Sequence, residues 1–293
     1  MKNCLLFSLV LLMLTSCEKT VDFKINDVPP KLVVEATIEN GEPPKVILTK
    51  SASYFAALTP QLLESSFVHG AEITISNGTL THRLKEYAVP IIGSFAYYYY
   101  SIDSSNLSTS FVGQLNTVYS MTIVSEGQTY TAKTTIPGYN KQIDSLFWRP
   151  GNDTTNRKVQ VVVKATDPPG FGNYVRYWTK RNREQFLPGF NSVFDDYVID
   201  GTTYELPVEP GVDRNSTSND YESRSFKHGD TVTFKLSGID HATYDFWSTM
   251  EYTYTTIGNP FGSPVRVKSN ISNNALGYFG GYASQYHTLI IPQ

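Results

Sequence analysis

The chain is short of cysteine: it has two in 293 residues, Cys4 and Cys17. Cys4 lies in an N-terminal leader and Cys17 at its end, so the body that follows has no thiol. That excludes disulfides and cysteine metal sites there. Charge is also sparse, with 24 Lys and Arg against 27 Asp and Glu. Near neutrality gives no basic field for nucleic acid and no acidic tail, so no nucleic-acid partner is expected. After Cys17 no stretch reaches the roughly 20 apolar residues that a membrane-spanning helix requires. Motifs of chemistry are missing as well. There is no His-Glu-x-x-His pair, no Gly-x-Ser-x-Gly elbow and no phosphate-binding glycine loop, and the five histidines (His69, His82, His228, His241, His287) are scattered. His82 and His287 fall in expected strands and read as structural or surface residues. No catalytic residue, cofactor or metal centre is expected, and the protein is expected not to be an enzyme.

What is present begins at the N-terminus. Lys2 precedes a largely apolar run from Cys4 to Leu14, and Leu14-Thr15-Ser16-Cys17 completes a lipobox. Residues 1–16 therefore read as a lipoprotein signal peptide, cleaved before Cys17. The exposed thiol and amine of Cys17 would carry acyl chains, each buried methylene adding about 0.8 kcal/mol of membrane affinity. Residues 17–30, polar and ending in Pro29-Pro30, read as the lipidated tether.

The body is rich in Tyr (20) and Phe (16), with many tight-turn pairs, a β profile. Lys31 to Ile38 alternates Leu32, Val34, Ala36 and Ile38 against polar neighbours, and Asn40-Gly41 turns it into Lys45 to Lys50. Ala71 to Ser76 and Leu80 to Leu84 flank Asn77-Gly78. Tyr119 to Val124 and Gln128 to Ile136 flank Glu126-Gly127, closed by Pro137-Gly138. About seven short strands in some 110 residues predict an immunoglobulin- or fibronectin-like β-sandwich over 31–138.

Residues 139–293 are expected to form a second β-rich domain. Its strands are Ile143 to Trp148, Lys158 to Thr166, Tyr174 to Thr179, Thr231 to Leu236 and a closing Thr288 to Ile291. Asp167-Pro168-Pro169-Gly170 begins a turn, and Arg181 to Ser225 is expected to be an excursion of loops and short strands. One amphipathic helix is expected at about 240–254, capped by Asp240 and stopped by Gly258-Asn259-Pro260. Its stripe of Ala242, Phe246, Met250 and Tyr254 at four-residue steps, beside Trp247, reads as packing on a sheet.

Two clusters are candidates for recognition chemistry. Tyr97, Tyr98, Tyr99 and Tyr100 in one strand would put two rings on each face, suited to sugars or protein surfaces; the alternative is an edge strand covering the core. Asp195-Asp196 with Asp200-Gly201 is the densest carboxylate group. It lacks the spaced Asp-x-Asp-x-Asp-Gly calcium loop, so a solvated turn is expected. Gly277-Tyr278-Phe279-Gly280-Gly281-Tyr282 reads as close packing or a bulge.

Several signposts together resemble a known family. They are Cys17 to Phe23 followed by Lys31-Leu32-Val33-Val34-Glu35, Asp167-Pro168-Pro169-Gly170 before Tyr174, and Phe194-Asp195-Asp196. Gly229-Asp230-Thr231-Val232, Asn259 to Pro264, Ser269-Asn270-Ile271 and Gly277 to Tyr282 complete the set. They are similar to the Bacteroidota family of domain of unknown function 4249, from Cys17 almost to Gln293. The resemblance implies an outer-membrane lipoprotein, often encoded beside TonB-dependent receptors and without an established activity. It carries no catalytic motif. Surface lipoproteins of that phylum often have an acidic run after the acylated cysteine. Here Glu18 and Asp22 are separated by Lys19-Thr20-Val21, which leaves the periplasmic face or the cell surface open. The expectation is a non-enzymatic, lipid-anchored accessory or ligand-capture partner of such a receptor. The alternative is a surface adhesin or structural β-sandwich without a transporter partner. A hydrolase built on Asp195-Asp196 would need those carboxylates to face each other in a pocket.

Overall fold

The computed structural model describes residues 29–53, 56–57, 59–91, 95–139, 141–151, 157–214, 225–257, 259, 263 and 265–293. The expected signal peptide, Cys17 and the expected tether up to residue 28 lie outside the described residues. So do Gly258 and Pro260 of the expected helix stop and most of the Asn259 to Pro264 signpost.

Strand periodicity becomes strand pairing in the first half. In β1 (Leu32–Glu39) the alternating residues Leu32, Val34, Ala36 and Ile38 are buried, and they face Val46 and Leu48 of the antiparallel β2 (Lys45–Lys50). Gly41 makes the turn at φ +81°. β3 (Glu72–Ser76) pairs with β4 (Thr81–Ile91) across Asn77-Gly78, where the Asn77 side chain accepts from the N–H groups of Thr79 and Leu80. β5 (Phe95–Ile102) returns beside β4. β6 (Thr117–Ser125) and β7 (Gln128–Ile136) form a two-residue hairpin at Glu126-Gly127, both with positive φ. A short helix unmarked by hydrophobic period, α1 (Pro60–Ser66), is capped by the Thr59 hydroxyl and has Pro60 in its first turn.

The second half adds β8 (Gln142–Pro150), β9 (Lys158–Thr166), β10 (Tyr174–Arg181), β11 (Leu187–Phe194), β12 (Thr203–Val208), β13 (Phe226–Lys227), β14 (Thr231–Ile239) and β15 (Leu276–Ile290). Thus the Arg181 to Ser225 excursion contains two strands among its described residues, and the closing strand is 15 residues long rather than four. The helix α2 (His241–Thr256) lies where expected. Asp240 caps it by accepting from Thr243 N–H at 2.8 Å, and its other oxygen accepts from the Thr134 hydroxyl and Thr135 N–H of β7.

The protein is mainly β. Eleven strands follow one path, β11-β10-β14-β15-β1-β2-β5-β4-β3-β6-β7, and β9 pairs with β8 on one edge and with β12 and β13 on the other. The first half of β15 runs parallel to β1, and its second half antiparallel to β14. β7 then folds back over β15. A Cβ on Gly281 would sit 2.5 Å from Thr135 O, and one on Gly277, at φ +95°, 1.8 Å from Val34 O. Only glycine permits both approaches, which is the close packing read from the Gly277 to Tyr282 segment.

Three hydrophobic clusters result. The first fills the sandwich of β1 to β7 and takes Ile271, Ala275, Phe279 and Ala283 from the far end of the chain. The expected boundary at 138 thus coincides with no break in the sheet, and the first cluster draws residues from both sides of it. The second lies between β8, β9, β12 and β13 on one side and β10 and β14 on the other. The third packs Phe246 of α2 on Tyr278 and Tyr282 of β15, on the opposite face of the sheet. Among the described residues no helix is long and apolar enough to cross a membrane.

Candidate functional site

The outer face of the long sheet, away from the first two clusters, carries aromatic and charged side chains in register. Trp178, Lys235 and Tyr286 stand side by side on β10, β14 and β15. Tyr278 pairs with Glu35, Tyr282 with Glu39, and Thr37 with Lys45. Farther along, Tyr99 pairs with Tyr87. One face thus runs from β10 to β4, and α2 roofs one end of it. At the roof edge is a cleft of about 510 Å³ bordered by Glu35, Glu39, Arg176, Trp178, Lys235, Trp247 and Tyr282.

Arg176 organises the floor. It is 3% exposed, its guanidinium carbon lies 3.3 Å from the Trp247 ring centre and 4.8 Å from that of Trp178, and Nε donates to the Ser192 hydroxyl at 3.1 Å. Ser192 in turn donates from Oγ and N–H to the buried Glu251 of α2. The counter-charge is therefore one hydroxyl away, and among the described residues no carboxylate is within ion-pair distance of Arg176. Trp247 Nε1 donates to the Tyr282 hydroxyl at 3.0 Å. Burial drives the Tyr278 and Tyr282 hydroxyls up from the ordinary tyrosine range, so both stay neutral donors and acceptors.

Glu35 and Glu39 supply the acidic side. Glu35 remains open to solvent within a concave wall of protein. Desolvation pushes its carboxyl up, while Lys45 and Arg176 pull it back. Glu39 accepts from Lys235 and from the Tyr286 hydroxyl, and Lys235 lies 5.0 Å from the Trp178 ring centre. Fork-like donors, carboxylates and tyrosine hydroxyls alternate between aromatic walls. Such a surface can hydrogen-bond a hydroxyl-rich ligand while its ring faces pack on C–H groups. A second cavity, of about 560 Å³, lies between the sheet layers, where Val163, Val175, Phe234 and Leu236 of the second cluster meet Tyr204 and Tyr244.

The four tyrosines divide as the strand period requires. Tyr100 is buried in the first cluster, its hydroxyl donating to Val68 O at 2.8 Å, and Tyr98 packs on Phe67 and His69. Tyr97 and Tyr99 face outward with Lys45 5.0 and 5.2 Å from their ring centres, and Tyr99 stacks on Tyr87. Burial and the Glu35 charge raise the Tyr97 hydroxyl to about 12. Two of the four thus belong to the face that holds the cleft, and β5 is an interior strand between β2 and β4, not an edge.

The carboxylate group differs from the expected solvated turn. Asp195 is exposed and accepts from the Tyr244 hydroxyl, whereas Asp196 is buried and accepts from the N–H groups of Gly172 and Asn173. The two point apart, so the face-to-face pair that a hydrolase would need is not formed. His82 is buried, hydrogen-bonded to Thr109 and accepting from Asp103 N–H; burial lowers its pKa and keeps it neutral. Cys17 lies outside the described residues. Sequence reading missed Arg176, Glu35, Trp178 and Lys235, which come from three distant strands. Their only local sign is a charge on the outward position of an otherwise apolar or aromatic strand.

A mainly β body with a mixed aromatic and charged cleft defines a class of β-sheet protein with a concave polar face. Residues 18–288 match the family described as domain of unknown function (DUF4249), nearly the whole chain, and the protein belongs to that family. No curated protein matches the chain.

Proposed function

We propose that the protein is a non-enzymatic, lipid-anchored outer-membrane lipoprotein that captures a hydroxyl-rich ligand, such as an oligosaccharide, and assists a TonB-dependent receptor in its uptake. The cleft around Arg176 is the observation that carries this reading, because alternating hydrogen-bonding groups between aromatic walls suit vicinal hydroxyls. The address rests on the Leu14 to Cys17 lipobox, and the partner on what the family resemblance implies. Trp178 and Trp247 border the cleft, so an occupying ligand changes their fluorescence. A panel of oligosaccharides titrated against the mature chain is expected to give at least one saturable change, weakened about tenfold or more in Glu35→Gln combined with Lys235→Met. A panel without any saturable response removes the capture reading. Recovery of a β-barrel receptor with the protein from solubilised membranes tests the partner, and fractionation of Cys17→Ser tests the anchor.

The alternative, a surface adhesin without a transporter partner, draws on exposed Phe171, Tyr197 and Val198, of which Val198 is 88% exposed. Tight binding to a surface with no receptor recovered would favour it.

A further inference from the structure

Three aspartates distant in sequence meet at one end of the second half. β9 pairs with β12 through Thr166 and Thr203, and β10 pairs with β11 through Val175 and Phe194. These pairings bring the 167–173 and 195–202 loops together, and Asp167 N–H donates to Thr202 O at 2.9 Å. One carboxylate oxygen from each of Asp167, Asp196 and Asp200 lies within 4.8 Å of the others. Oxygens bound to one calcium ion at about 2.4 Å are at most about 5 Å apart, so all three pairwise separations lie within the span of a common ion.

The hydrogen bonds leave ligand capacity pointing at this spot. Asp196 Oδ2 accepts from Asn173 N–H and from its side-chain amide, and Asp200 Oδ1 accepts from Gly170 N–H, so both carboxylates are held in place by backbone donors. Asp167 is different. Its side chain is fully buried, Oδ2 has no hydrogen-bond donor among the described residues, and Oδ1 has only Lys141 Nζ at 3.1 Å, outside hydrogen-bond geometry. A buried carboxylate oxygen left without a donor is costly and calls for a cation or a water. Among the described residues Lys141, on Asp167, is the one cation within ion-pair distance of any of the three carboxylates. Three carboxylates and one ammonium leave a formal charge of minus two, which one divalent ion neutralises. An all-oxygen donor set from loops, without histidine or cysteine, selects a hard cation and suits calcium's flexible coordination better than the strict octahedron of magnesium.

We propose that Asp167, Asp196 and Asp200 bind a calcium ion that ties the 167–173 loop to the 195–202 loop. The ion would also fix the exposed Phe171 and Tyr197, whose rings lie 6.2 Å apart on these same loops. This site is independent of the cleft.

The test is calorimetric titration and thermal unfolding of the full mature chain, stripped with chelator, using calcium chloride and, in parallel, magnesium chloride. One saturable calcium site and a melting temperature that climbs with calcium concentration are expected. Asp200→Asn, which keeps the acceptor for Gly170 N–H, is expected to weaken calcium about tenfold or more while melting like wild type in chelator. Asp200→Ser serves as the second variant should the first fail to fold. Absence of saturable binding at millimolar calcium, an equal response to magnesium, or an Asp200 variant that titrates like wild type would each overturn the proposal.

Discussion

The two halves of the molecule bury different things. The sandwich of β1 to β7 is closed by aliphatic and aromatic side chains, and of the 13 buried polar or charged residues among those described only His82 and Thr134 precede residue 138. The other 11 belong to the second half, including the charged Lys141, Asp167, Arg176, Asp196 and Glu251. Buried charge costs several kcal/mol per ion unless paired, so it persists where position matters more than stability. The first half is the scaffold, and the second half, with the part of β1 that reaches it, holds both the cleft and the aspartate cluster.

The sharpest way to break this contrast is Lys141→Met. Removing the ammonium leaves Asp167 as an uncompensated buried charge, with an expected loss of about 3–5 kcal/mol in denaturant unfolding under chelator. The double variant with Asp167→Asn should recover much of it. In the first half, Ile73→Ala opens a cavity and should cost about 2–5 kcal/mol, with no charge partner able to restore it. A loss that a second polar change reverses in the first half would erase the distinction.

Between the halves, Asp240→Ala removes the cap of α2 and the acceptor for Thr134 and Thr135, an expected cost of about 1–2 kcal/mol measured by thermal melts. Acid should act next. Burial pushes the Asp196 carboxyl up, but the N–H groups of Asn173 and Gly172 and the Asn173 amide outweigh it, so its folded pKa is lowered. Its contribution is then full above the ordinary carboxylate pKa near about 4 and is lost as pH falls from there through the folded value. Unfolding midpoints between pH 5 and pH 2 should decline less steeply in Asp196→Asn.

The smallest effect has the opposite sign. Glu35 has a raised pKa, so its ionised form opposes folding above that value and the opposition fades on acidification. Glu35→Gln should melt slightly higher than wild type at pH 8 and equally at pH 4. A variant less stable at pH 8 would show that Glu35 supports the fold and is not held there for binding.

Legibility followed the range of the interaction that decides each element. Alternation in β1 and the Asn-Gly and Glu-Gly turns were readable because side-chain period and positive φ are local properties. The cap at Asp240 was readable for the same reason. β15 was anticipated only from Thr288 to Ile291, because Gly277, Gly280 and Gly281 weaken strand propensity; the backbone of Val34 requires Gly277 and that of Thr135 requires Gly281, while Gly280 lies against the Tyr278 and Tyr282 rings. α1 has no buried residue and therefore no hydrophobic period to detect. The tyrosine run announced aromatic exposure, yet only the register showed that Tyr97 and Tyr99 share a face with Glu35 and Arg176. Asp195-Asp196 and Asp200 stood out as one group, but nothing near them in sequence marked Asp167.

Taken alone, the order of amino acids settled the β class, the local strands and hairpins, the capped helix and the absence of thiols from the body, since each depends on neighbours within a few residues. Tertiary structure alone decided that the first strand lies beside the last, that α2 roofs one end of a polar face, and that three aspartates and a lysine share one corner. Those outcomes depend on which strand edges meet, and pairing between segments 243 residues apart, as Val33 with Leu276, leaves no periodic trace in either segment.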